Sequence, residues 1–122
     1  MDESTSVINQ VKTDIKKRIA EAIDKARQKG DLPGYVEADI KIHMPAKPEQ
    51  GDFATGVAMA LASEMKYDGR SVAGAIVRYL SLEDSWIQRV DIAGPGFLNF
   101  FLSTGWLQEA MADIWKKGPV FG

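Results

Sequence analysis

Apolar residues recur along the first thirty positions in steps of three and four: Val7, Ile8, Val11, Ile15, Ile19, Ala22, Ile23 and Ala26. That spacing lays them on one stripe of an α-helix and predicts a single long amphipathic helix. Ser4, Thr5 and Ser6 are candidate N-caps, Gly30 suits the position just past the last turn, and Pro33 forbids continuation. From Val36 to Met44 the pattern switches to alternation. Val36, Ala38, Ile40, Ile42 and Met44 are apolar and Glu37, Asp39, Lys41 and His43 polar, which predicts a half-buried strand. Pro45 and Pro48 end it, and residues 45–51 read as an exposed loop. Asp52 is placed to cap a second helix running to about Met65, because its carboxylate can accept from the orphan amides of a first turn.

Tyr67-Asp68-Gly69 reads as a turn, and Ser71 as the cap of a third helix whose Val72, Ala75, Ile76, Tyr79 and Leu80 return to helical spacing. Trp86 to Ile92 is strand-like, Gly94-Pro95-Gly96 interrupts, and Phe97 to Leu102 is aromatic and aliphatic almost throughout. Pro95 and Gly96 fit the second and third positions of a type II turn, the one fixing φ near −65° and the other permitting positive φ. Thr104 can cap a last helix with Trp106, Leu107, Ala110, Met111, Ile114 and Trp115 as its apolar stripe, stopped by Gly118-Pro119. The order helix, strand, helix pair, strands, helix predicts an α+β fold. Its simplest form is a two-layer sandwich, a small antiparallel or mixed sheet with helices packed on one face. A doubly wound parallel sheet fits less well, since it wants a strand before nearly every helix and this chain opens on its longest helix.

Length and composition narrow the picture. With 122 residues, 45% hydrophobic and 26% charged, residues 1–122 are expected to form a single domain around one core, without metal or disulfide staples. Cysteine is absent, and the polar, acidic start lacks the basic and apolar regions of a signal peptide, which points to the cytoplasm. No apolar run approaches the roughly 20 residues that span a bilayer, so no membrane partner is expected. The net charge of −2 argues against a grip on nucleic acid by bulk electrostatics. DNA is therefore not an expected partner, and any RNA contact must be local. Lys12, Lys16, Lys17, Arg18, Lys25, Arg27 and Lys29 crowd the first quarter and read as a solvated helix face.

Catalytic constellations are missing. His43 is the single histidine and there is no cysteine, so neither a histidine-pair metal site nor a Cys-His dyad can be assembled; His43 reads as a surface residue. Nothing marks Glu83 and Asp84 as an acid/base couple. Gly94-Pro95-Gly96 precedes a strand instead of opening a helix and lacks a phosphate-reaching lysine. What remains is the strand 97–102. Alternation sends Leu98, Phe100 and Leu102 to one side, the expected core side, and Phe97, Asn99 and Phe101 to the other. There two aromatics flank an amide at spacings of about 6.6 to 6.8 Å. Such a surface can stack a nucleobase on a ring while the amide bonds its edge. Equally, a helix can cover the aromatics while Asn99 caps a loop.

The stretch Val90-Asp91-Ile92-Ala93-Gly94-Pro95-Gly96-Phe97-Leu98-Asn99-Phe100-Phe101-Leu102 resembles the signature that ends the N-terminal additional domain of arginyl-tRNA synthetases. Gly51-Asp52-Phe53-Ala54-Thr55-Gly56-Val57-Ala58-Met59-Ala60-Leu61-Ala62 is similar to the family's second motif, and Gly118-Pro119-Val120-Phe121-Gly122 resembles the segment just before its catalytic domain. Essentially the whole chain is covered. The resemblance implies an α+β layer that docks on the outer corner of tRNA(Arg) and touches the D-loop. The family's base contact comes from an aromatic and an amide two residues apart after the Gly-Pro turn; the matching positions are Phe97 and Asn99. It also implies that the chain is the tRNA-binding part of an arginine–tRNA ligase, the catalytic domain of the same polypeptide being absent from it. ATP, arginine and magnesium ions would act in that other part. The two halves of the family's ATP site, one rich in His and Gly and one in Lys, Met and Ser, have no counterpart here, so this chain is expected to hold no cofactor and to make no aminoacyl-adenylate. One position departs. Family members commonly have asparagine where this chain has Gly56, and a glycine inside a helix costs roughly 1 kcal/mol relative to alanine. The other function considered is a free-standing paralogue serving as a protein-interaction module.

Overall fold

The structure is a computed structural model that describes residues 3–32, 39–106, 108, 109 and 112. Helix α1 spans Glu3–Gln28 and buries Val7, Val11, Ile15, Ile19, Ala22 and Ala26, the apolar stripe of the sequence. Gly30 follows at φ 84° and ends it. Ser4, Thr5 and Ser6, the expected caps, already lie inside the helix. Helices α2 (Val57–Met65) and α3 (Gly69–Tyr79) come as a pair, and β2 (Ile87–Ala93) and β3 (Phe97–Leu102) as a hairpin. The central strand is β3, flanked antiparallel by β2 and by a three-residue strand β1 (Phe53–Thr55). The arrangement is therefore α+β, with helices and a small antiparallel sheet sharing one core. Phe53, Leu98, Phe100 and Leu102 from the sheet cluster with Ile15 and Ile19 of α1, Leu61 of α2 and Val72 and Ile76 of α3. Burial of this set is the main stabilising term, each fully buried Leu, Ile or Phe contributing on the order of 1.5–3 kcal/mol.

Four local expectations need correction. Of the strand expected over residues 36–44, the described part, residues 39–44, forms a single bridge: His43 and Ala54 exchange backbone hydrogen bonds of 2.9 and 2.8 Å, and residues 39–42 are not in a strand. Val36, Glu37 and Ala38 lie outside the described residues. The alternation still orients the segment, with Ile42 buried and Lys41 and His43 exposed, but Met44 is 51% exposed. Nor does Asp52 cap a helix. Its carboxylate accepts from the Leu102 amide at 2.8 Å, and its own amide donates to the Phe100 carbonyl at 2.9 Å, so it fastens β1 to β3. α2 begins only at Val57, whose amide approaches the buried Thr55 hydroxyl at 3.3 Å.

The third correction concerns α3, which is capped by Asp68. That carboxylate accepts from the Ser71 amide at 3.1 Å and from its hydroxyl at 3.2 Å, so Ser71 is the donor and not the cap. The fourth is the hairpin turn. Gly96 donates to the Ala93 carbonyl at 3.2 Å, which makes Gly94 and Pro95 the two central residues. Gly94 opens the turn at φ 53°, as in the primed turns that match strand twist, while Gly96 has the positive φ expected of it, 140°, but at the position after the central pair. After Leu102 the chain turns helical, with Trp106 edge-on to Phe53 at 5.6 Å between centroids. Leu107, Ala110, Met111, Ile114, Trp115 and the Gly118-Pro119 stop lie outside the described residues.

Arg18 shows what part of the basic crowding in α1 does. Its Nε bonds Asp14 at 2.8 Å, while its other nitrogens donate to the Ser81 and Asp84 carbonyls at 2.9 and 3.2 Å. It ties α1 to the connection between α3 and β2.

Candidate functional site

Strand β3 divides its side chains as alternation requires. Leu98 and Phe100 are fully buried and Leu102 nearly so, facing the helices. Phe97, Asn99 and Phe101 take the other face. Paired residues on neighbouring strands share a face, so the register defines what surrounds them. A row runs His43, Ala54, Asn99, Asp91 across the sheet, beside the pairs Ala93–Phe97 and Arg89–Phe101.

Phe97 is 37% exposed. Its ring has glycine at two edges: a Cβ added to Gly56 would stand 3.6 Å from Phe97 Cε1, and one added to Gly94 3.8 Å from Cδ2. Asn99 lies lower, with 7% of its surface exposed. Its carboxamide makes no hydrogen bond to any described residue, yet among these residues no buried side-chain nitrogen or oxygen is left without a partner. The polar atoms of Asn99 are therefore not fully enclosed, and an unpaired amide can donate and accept toward an incoming group. Phe101 is half-buried because the Arg89 guanidinium lies over its ring, 3.9 Å from the centroid. The Nε of Arg89 is 3.3 Å from both carboxylate oxygens of Asp91.

The turn that carries Phe97 is held from behind. A Cβ on Gly69, at the start of α3, would stand 2.1 Å from the Pro95 carbonyl oxygen, and one on Gly96 2.9 Å from the Gly69 backbone. Backbone thus meets backbone, and the Arg70 guanidinium donates to the Gly94 carbonyl at 2.7 Å. Side chains at 69 or 96 would push the turn off the helix.

Sequence reasoning singled out Phe97 and Asn99, and the structure puts both on one face. It missed Arg89 and Asp91. Their signal was present, since positions 89 and 91 alternate in step with 99 and 101 across a hairpin centred on the turn. Gly56, expected inside a helix, is the N-cap residue of α2 at φ −100° and ψ 20°, where glycine is well tolerated. His43 is exposed, and among the described residues no group of His, Cys, Asp and Glu side chains could hold a metal ion. None of the described helices is long and apolar enough to cross a membrane.

The fold is a small α+β layer whose sheet carries Phe97, Asn99 and Phe101 on one face of its central strand. Residues 13–102 match the family described as the arginyl tRNA synthetase N terminal domain, and the chain belongs to that family. Over 118 residues it is 36% identical to the arginine–tRNA ligase of Acetivibrio thermocellus, covering 97% of this chain and 21% of that protein. It is 38% identical over 117 residues to the arginine–tRNA ligase of Staphylococcus aureus, covering 96% and 20%. The chain thus spans about a fifth of the length of the curated relatives it matches. Among solved structures, arginyl-tRNA synthetase from Plasmodium falciparum superposes with a TM-score of 0.63 at 14% identity, over 82% of this chain and 17% of that one, which speaks to the fold alone. The Thermus thermophilus arginyl-tRNA synthetase gives a TM-score of 0.50 at 26% identity, over 69% and 13%.

Proposed function

We propose that this chain is the tRNA-binding domain of an arginine–tRNA ligase and reads the D-loop at the elbow of tRNA(Arg), with Phe97 stacking on a base and Asn99 bonding its edge. The observation that carries the reading is the Asn99 carboxamide, unpaired among the described residues and flanked along β3 by Phe97 and Phe101. Membership in the N-terminal domain family supports it. The domain adds affinity and orientation, and the catalytic domain of the same polypeptide, with ATP, arginine and magnesium ions, carries the chemistry. We assign the reaction to the cytoplasm, where charged tRNA feeds translation. This chain by itself then forms no arginyl-adenylate.

With net charge −2, the isolated chain should hold tRNA only in the range of non-specific complexes, roughly 10⁻⁴ to 10⁻⁶ M. Titration of labelled tRNA(Arg) with wild type and Asn99→Ala tests the reading. Weaker binding by a normally folded variant supports it, and equal binding overturns it.

A further inference from the structure

Arg89 has a geometry the base-reading pair does not use. Its guanidinium lies over the Phe101 ring at 3.9 Å, and its Nε is pinned by both oxygens of Asp91 at 3.3 Å. Stack and pin together fix the plane of the group. Its two Nη atoms make no hydrogen bond to any described residue, and the side chain is 60% exposed. A guanidinium held in this way loses little rotamer freedom when it engages an anion, and its end fork matches two oxygens of a phosphate. Asp91 pairs with Asn99, and Arg89 with Phe101, so the backbone position of Arg89 is one two-residue step, about 6.6 to 6.8 Å, along the sheet from the Asp91–Asn99 pair, on the same face.

We infer that Arg89 is a phosphate clamp of this face: it grips the RNA backbone beside the nucleotide whose base meets Phe97 and Asn99. The inference rests on the reading that the face binds tRNA. It also answers the charge problem posed by the sequence, because an acidic chain needs a preorganised cation at the contact itself. Asp91 takes the Nε edge and leaves the fork free, so it orients the clamp without occupying it.

The test is the salt dependence of tRNA(Arg) binding to the 122-residue chain. In a series of roughly 50 to 200 mM salt, Arg89→Gln should reduce the slope of log K against log salt by about 0.7 to 0.9, the loss of one phosphate contact. At the lowest salt it should bind about three- to tenfold more weakly. Arg89→Lys keeps the charge but not the fork or the stack, so it should keep the slope and recover only part of the affinity. Both variants should melt like wild type, since the side chain is largely exposed. An unchanged slope in Arg89→Gln overturns the clamp, including the case in which affinity falls without a change of slope, which means stacking on a base instead. Asn99→Ala separates the two readings: it should weaken binding at every salt concentration with the slope intact. If Asn99→Ala and Phe97→Ala bind like wild type while Arg89→Gln still flattens the slope, base reading fails and the clamp stands.

Discussion

The ring of Phe97 lies against Gly56, where an added Cβ would stand 3.6 Å from Phe97 Cε1 and 3.0 Å from the terminal methyl of Met59. Gly56 is the N-cap of α2 in a conformation open to any residue, and no side chain caps that helix. Asparagine is a better N-cap than glycine by only a few tenths of a kcal/mol. Gly56→Asn should therefore raise stability by about that amount, with the flexible end of Met59 moving aside, and shift the urea midpoint upward at constant slope. A loss above about 1 kcal/mol would show that Phe97 and Met59 do not yield.

The two faces of β3 should separate in mutagenesis. Leu98→Ala and Phe100→Ala remove fully buried side chains and should each cost about 2 to 5 kcal/mol in urea denaturation. Asn99→Ala breaks no hydrogen bond among the described residues, so folding should be nearly intact while tRNA binding weakens by about 0.5 to 1.5 kcal/mol. Phe97→Ala should cost roughly 1 to 3 kcal/mol of binding through lost stacking. If Asn99→Ala unfolds the chain, the amide is structural.

Gly69 and the Gly94-Pro95-Gly96 turn form a second lock. A methyl at 69 would meet the Pro95 carbonyl oxygen at 2.1 Å, and neither α3 nor the turn has a flexible side chain to yield there. Gly69→Ala should destabilise by about 1 to 3 kcal/mol through overpacking. Because the turn sets the height of Phe97, tRNA binding should fall in the folded fraction as well; binding at the wild-type level would show that the turn does not position the ring.

Tyr79 donates its hydroxyl to Asp31 at 2.7 Å, joining the end of α3 to the chain just past α1. That bond, then burial, then the charge of Asp31 hold the phenol above its usual value of 10.0, with Arg78 opposing. A group whose folded value is raised contributes stability that is complete below the unfolded value and is lost as pH rises through the folded one. Wild type should therefore lose stability above about pH 10 more steeply than Tyr79→Phe, and the two should run parallel at neutral pH. Parallel curves throughout would remove Tyr79 as the source.

Much of the site was legible because a strand has a period of two. Alternation in residues 97–102 is enough to separate Leu98 and Phe100 from Phe97 and Asn99, whatever the rest of the chain does. The role of Arg89 was not legible, because it depends on which residue of β2 meets Phe101. A bulge between Ile87 and Arg89 shifts that register.

The sequence by itself determined the long first helix, the helix pair, the hairpin at Gly94-Pro95-Gly96 and the two faces of its second strand. Each rests on periodicity or turn chemistry within a few residues. Tertiary structure alone decided the partners. Ile42 is buried and His43 exposed as alternation asks, yet residues 39–44 form one bridge, because β1 is three residues long and α2 begins directly after Gly56. Asp52 carries a side chain suited to any unpaired amide, and the one it meets belongs to Leu102, fifty positions away. A local pattern states what a residue can bond and which side it turns to the core. Which group arrives there depends on contacts between distant segments, and these form only when the whole core closes.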